Sequence, residues 1–164
     1  GLGAATPIGN DVNSFWQSLV AGKSGAAPIT LFDASKFKTR FACEVKGFDI
    51  EQYMDKKDAR KMDRFCHFAI AASDEALKTS GLNLEASDKN RIGVIWGSGI
   101  GGLQTFDEEM YSYYAGGKEP RFNPFFIPKM ILDIAAGQVS IRHGLRGPNY
   151  ATVSACASSS HAII

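Results

Sequence analysis

Apolar and polar positions alternate along this chain with changing periods. Val12, Phe15, Trp16, Leu19 and Val20 recur at helical spacing, so the pattern predicts a helix over 11–21. Asn10 can cap it and Gly22 can end it. Residues 28–50 read as extended or irregular, with a short strand suggested by the alternation of Phe41, Cys43 and Val45. A second helix is expected from about Asp58 to Thr79, with Gly81 just beyond. Its buried stripe would be Met62, Phe65, Cys66, Ala69, Ile70, Ser73, Ala76 and Leu77. The near-continuous apolar run 91–96 predicts a strand covered on both faces. A glycine-rich turn follows at 97–102, then a helix over 103–114 and a loop over 115–127. Helical spacing returns at 128–143. Gly147-Pro148 then turns the chain into a strand at 150–155, and a helix is expected after Cys156. Strands alternating with helices predict α/β layers.

Composition narrows the partners more than the fold. Apolar residues make up 45% and charged residues 21% of 164 positions, the balance of a soluble globular protein. A net charge of +1 gives no bulk attraction to nucleic acid or membrane, so a charged partner must be read by a local patch. No apolar run approaches the ~20 residues of a membrane span, and no basic leader of a signal peptide opens the chain. Cys43, Cys66 and Cys156 are odd in number and widely spaced, which fits neither a disulfide framework nor a zinc site. Reduced thiols and a cytoplasmic setting are expected. The abrupt ends, Gly1-Leu2-Gly3-Ala4 and Ala162-Ile163-Ile164, lead us to expect a piece of a larger protein.

Four constellations could carry chemistry. In Thr152-Val153-Ser154-Ala155-Cys156-Ala157-Ser158, a β-type run passes into small residues, which places Cys156 at a strand-to-helix turn. Backbone N–H groups at a helix start favour a thiolate and can hold an oxyanion. The competing reading is a buried, inert cysteine. Cys43 and Cys66 lie in apolar alternations and read as packing residues. Gly97-Ser98-Gly99-Ile100-Gly101-Gly102 satisfies the dinucleotide fingerprint, although the loop after the next helix lacks the second strand such a unit needs. A tight turn with close backbone approach is the alternative. Lys57, Arg60, Lys61 and Arg64 fall at i, i+3, i+4 and i+7 and would share one helix face, either solvated or binding an acidic partner. Among the histidines, His67 reads as a helix-surface residue and His143 as a helix C-terminus. His161 does not share a helical face well with Cys156.

Together, Gly1–Asn10, Arg60-Lys61-Met62-Asp63, Gly97–Gly102, Asn123-Pro124-Phe125-Phe126-Ile127-Pro128 and Ser154–Ser158 resemble one family across the whole chain. The resemblance is to the bacterial type II β-ketoacyl-acyl-carrier-protein synthases, the elongating condensing enzymes of fatty acid synthesis. It implies a thiolase-like αβαβα sandwich, of which residues 1–164 would be the N-terminal half only, truncated at both ends. It implies that Cys156 is the acyl-accepting nucleophile and that Ile100 lines the acyl pocket. It implies that Phe126 reaches across a homodimer towards the partner's pocket. Lys57, Arg60 and Lys61 would dock acyl-carrier protein bearing an acyl or malonyl thioester. No metal or redox cofactor is implied. Two catalytic histidines and a lysine of the family have no counterparts in these residues. A polyketide-type ketosynthase is the neighbouring alternative, and the nucleotide-binding module using 97–102 is the non-enzymatic one. A chain-length factor is disfavoured because Cys156 is present.

Overall fold

The computed structural model describes residues 1–164 and divides them into two units. The first comprises Gly1–Asp49 with Ala71–Gly81. Its opening helix, α1, spans Val12–Val20. Asp11 caps it, because its carboxylate reaches the Ser14 N–H at 2.8 Å. Asn10, the expected cap, instead donates its side-chain amide to the Lys46 carbonyl. Gly22 (φ +64°) ends the helix as expected. Strands β1 (Ala27–Pro28) and β2 (Phe41–Ala42) pair antiparallel. The strand expected through Val45 thus stops early, and Cys43 is exposed rather than packed. A single carboxylate, Glu75, organises the unit by accepting from the backbone N–H groups of Ala4 and Val12, each at 2.9 Å. Gly3 is required beside it, since a Cβ there would collide with the Ala72 carbonyl.

The second unit comprises Ile50–Ile70 and Leu82–Ile164. The single helix predicted over 58–79 is two: α2 (Lys56–Ala59) and α3 (Arg64–Thr79). The break has a local cause. Asp55 caps α2 by accepting from Lys57 and Asp58, the chain turns, and Asp63 starts α3 by accepting from the Phe65 N–H at 3.3 Å. In consequence Lys57, Arg60, Lys61 and Arg64 do not share one helix face. Helix α3 continues beyond Ile70 into the first unit.

Strands β3 (Val94–Gly97) and β4 (Asn149–Thr152) pair in parallel, with Val94 opposite Asn149 and Gly97 opposite Thr152. Between them run α4 (Leu103–Ala115), α5 (Phe126–Met130) and α6 (Ile134–His143). The helical run expected over 128–143 is therefore interrupted, since Ile131 is extended (ψ 144°). His143 does close α6, with Gly144 left-handed after it. Cys66 and Ala69 of α3 meet Ala135 of α6, and Met62, Phe65, Trp96 and Ile134 pack around them. Trp96 thus faces the core while Ile95, on the other face of β3, is 40% exposed. On the Ile95 face the covering is partial: the helical segment Ser158–Ile163 meets the strand at Gly97.

Candidate active site

Parallel strands end at a common edge, and ligands of open α/β sheets bind at that edge. Here the glycine-rich turn leaves β3 and the cysteine turn leaves β4 side by side. Ser98 N–H continues the ladder to the Thr152 carbonyl at 3.2 Å. Gly97 has to be glycine, because a Cβ there would stand 2.5 Å from the Ser159 nitrogen. The start of the last helix, α7 (Ser158–Ile163), therefore crosses directly over the end of β3. Gly99 faces the Ala155 carbonyl across the same seam.

Cys156 is exposed and sits in a single 3-10 turn, Ala155–Ala157, between β4 and α7. Ala155 adopts φ +49°, a left-handed conformation that costs an alanine on the order of 1–3 kcal/mol. Buried Ser158 holds the turn in that shape. Its hydroxyl accepts from the Ser154 N–H at 2.9 Å and donates to the Ala155 carbonyl at 2.8 Å. Thr152 donates its own hydroxyl to the Ser158 carbonyl at 2.8 Å. The small residues around Cys156 marked a turn in the sequence; Ser158 is also the residue that ties that turn together. The pattern Ser-x-x-x-Ser around the cysteine was the available signal. His161 is hydrogen-bonded to Ser154, with Nδ1 2.6 Å from Oγ.

Ile100 is 65% exposed and lines a cavity of about 590 Å³ with Met130, Leu132, Tyr150 and Val153. The wall is mainly apolar, and both turns at the sheet edge contribute to it or lead into it. Phe126 does not line this cavity. Its half-buried ring stacks on Phe106 (6.3 Å) and Phe122 (5.8 Å), joining α4 to α5.

The dinucleotide reading fails on two observations. No strand directly follows α4; the chain passes through a loop to α5 and α6 before β4. The start of α4, where a pyrophosphate would sit, is occupied by the carboxylate of Asp63. That side chain accepts from Thr105 N–H at 3.0 Å and Thr105 Oγ1 at 2.6 Å. A second anion there would meet a buried negative charge. The alternative reading holds: Gly101 (φ +82°) and Gly102 let the turn pass against the Met130 and Lys129 carbonyls.

The basic residues separate. Lys57 and Arg60 are exposed. Lys61 contacts Asp58 at 2.6 Å, which lowers the Asp58 carboxyl below its usual range, and Lys61 borders a second cavity of about 530 Å³ with Met62 and Arg142. Arg64 lies over the Phe68 ring. His67, expected at the surface, is half-buried and donates Nε2–H to the Ala59 carbonyl at 2.9 Å. Burial lowers its pKa; the Ala59 bond and the charge of Asp63 only partly oppose this. Cys66 is fully buried, as its place on the stripe predicted, and burial together with Asp63 pushes its pKa up to about 12.

This architecture is the thiolase-like α/β fold. A solved β-ketoacyl synthase from Burkholderia phymatum superposes with a TM-score of 0.81 at 26% identity, covering 99% of this chain and 40% of that one. A polyketide ketosynthase solved with its acyl-carrier protein gives 0.78 at 26% identity, covering 99% and 43%. The family model "Beta-ketoacyl synthase, N-terminal domain" matches residues 1–164, and the chain belongs to that family. Among curated relatives, 3-oxoacyl-[acyl-carrier-protein] synthase 2 of Synechocystis is 47% identical and that of Vibrio cholerae 48% identical, each over 163 residues and 99% of this chain. The chain spans 39% of the length of these relatives.

Proposed function

We propose that residues 1–164 are the N-terminal half of an elongating 3-oxoacyl-[acyl-carrier-protein] synthase, a cytoplasmic homodimer, and that Cys156 carries the growing acyl chain. One observation carries the reading most: an exposed cysteine on a serine-locked turn at the open end of a parallel sheet, three residues beyond Val153, which lines an apolar cavity. The strained turn presents the sulfur outward, and the cavity offers space for a hydrocarbon chain. The name shared by the relatives at 45–48% identity favours fatty acid elongation over polyketide synthesis. The polyketide ketosynthase remains the second reading, supported by the solved neighbour at 26% identity.

The chemistry follows from a thiolate nucleophile. Cys156 Sγ attacks the carbonyl of an acyl thioester. A new C–S bond forms, the carrier's C–S bond breaks, and the carrier thiolate leaves and takes up a proton. Malonyl-carrier protein then loses carbon dioxide. The electron pair of the broken C–C bond attacks the acyl carbonyl and expels the Cys156 thiolate. Groups that stabilise the intervening enolate are not supplied by His67, His143 or His161: the first is tied to a backbone carbonyl, the second closes α6, and the third holds Ser154. They are assigned to the rest of the enzyme. No metal or redox cofactor enters the scheme. Ile100 forms a wall of the acyl pocket, Phe126 belongs to the dimer contact, and Lys57, Arg60 and Lys61 dock the acidic carrier protein.

The test is an acyl-enzyme trap. The intact protein is incubated with an acyl-carrier protein thioester and digested for mass spectrometry. The acyl mass is expected on the peptide containing Cys156 and absent after Cys156→Ala. Acylation of Cys43, or none at all, would sink the assignment.

A further inference from the structure

The Asp63 carboxylate lies where three segments meet, and none of the roles proposed above uses it. It is 7% exposed, and its partner Thr105 is 4% exposed. One oxygen accepts from the Phe65 N–H at the start of α3. The other accepts both the backbone and the hydroxyl of Thr105, in the first turn of α4. A carboxylate at two helix starts is favoured by both dipoles, and charge-assisted hydrogen bonds are the stronger kind. The same oxygen and the Lys129 carbonyl both crowd the place where a Cβ of Gly102 would be, at 3.0 and 2.6 Å. Gly102 N–H in turn donates to the Met130 carbonyl at 2.9 Å. Gly101–Gly102 thus packs closely against both Asp63 and the end of α5. Ile100 is the next residue back along the chain, and Met130 borders its cavity.

We infer that Asp63, acting through Thr105, is a positioning residue that fixes the Ile100 wall of the cavity and thereby sets which acyl lengths are accepted. This rests on the proposed reading of Ile100 as an acyl-pocket residue. The physical argument is one of rigidity. Ile100 itself is 65% exposed, so its place depends strongly on the glycine corner behind it. Glycines are intrinsically free, and this corner is held by a buried charge rather than by side-chain packing. Loosening the carboxylate lets the wall shift while leaving Cys156, on the other strand, in its own serine-locked turn.

The experiment compares long and short acyl-carrier protein donors on the intact enzyme, reading kcat/KM for each. Thr105→Val keeps the volume and the backbone N–H but removes the hydroxyl donor. Asp63→Asn keeps the shape but removes the charge. Each is expected to shift the long-to-short selectivity ratio by about tenfold. Thr105→Ser, which restores the hydroxyl, should return the wild-type ratio. A residue that only supports the fold would lower kcat/KM for every donor alike, and an unchanged ratio in Thr105→Val overturns the inference. Ile100→Phe is the control. If it shifts the ratio and Thr105→Val does not, the inference falls and the pocket reading stands. If neither shifts it, the pocket reading falls and takes the inference with it. Should Asp63→Asn fail to fold, Thr105→Val decides alone.

Discussion

Three thiols in one chain have three environments. Cys66 is enclosed by α3, α6 and the side of β3, and its pKa near 12 leaves it protonated and unreactive at neutral pH. Cys156 stands out on its turn, and Cys43 is exposed beyond the end of β2. At pH 7.5, limiting iodoacetamide should modify Cys156 first and Cys43 more slowly, with Cys66 reacting only after denaturation. Peptide mapping that finds Cys43 ahead of Cys156 would argue against Cys156 as the nucleophile. The fate of Cys66 was legible, because a position on the apolar stripe of a long helix is a packing position. That of Cys43 was not. The alternation Phe41, Cys43, Val45 is a strand pattern, yet Glu44 turns back to accept from Thr30 N–H, Thr30 Oγ1 and Leu31 N–H. Those bonds, which lower the Glu44 pKa, tie the segment to Thr30 and Leu31, outside the two-residue ladder that ends at Ala42. Periodicity does not reveal a side chain that captures its neighbours' backbone.

Helix positions came through the periodicity well, but helix breaks did not. The run from Asp58 to Thr79 and the run over 128–143 each contain an interruption, the first at the caps made by Asp55 and Asp63 and the second at extended Ile131. Asp63 is bonded across 42 residues to Thr105, and Met130 accepts from Gly102. Splitting α2 from α3 also changes how the basic residues can act. Lys61 is already engaged by Asp58, whereas Lys57 and Arg60 are exposed on and just after a four-residue helix. Lys57→Glu and Arg60→Glu should therefore weaken carrier-protein binding more than Lys61→Gln, by roughly tenfold at low ionic strength and less at high salt. Surface binding of the carrier protein across a salt series checks the order. Transfer from a small acyl thioester lacking the carrier should stay within about twofold, since exposed surface substitutions seldom disturb the fold.

At the scale of the whole molecule, the class of layers was legible in the alternation of strands and helices. The pairing of β3 with β4 was not, because no local signal links two strands so far apart. Stability has a readable pH dependence. His67 is held neutral by burial, with its native pKa below the ordinary 6.5. Above 6.5 neither state binds the extra proton, and the contribution is flat. As pH falls through 6.5 towards the lowered native value, the unfolded chain takes up a proton that the folded site resists, so stability is lost. The wild-type melting temperature should fall more between pH 7 and pH 5 than that of His67→Gln; parallel curves would mean that His67 is not the titrating group. The parallel pairing itself also governs how the chain is made. Val94 has to wait for Asn149 before its ladder can form. At ~5–20 residues per second, a ribosome leaves β3 without its partner for roughly 3–10 seconds. During that interval Ile95 and Trp96 lie on an open edge, available to any other nascent strand. The cysteine turn, whose following helix start meets Gly97, can take shape only after that exposure ends.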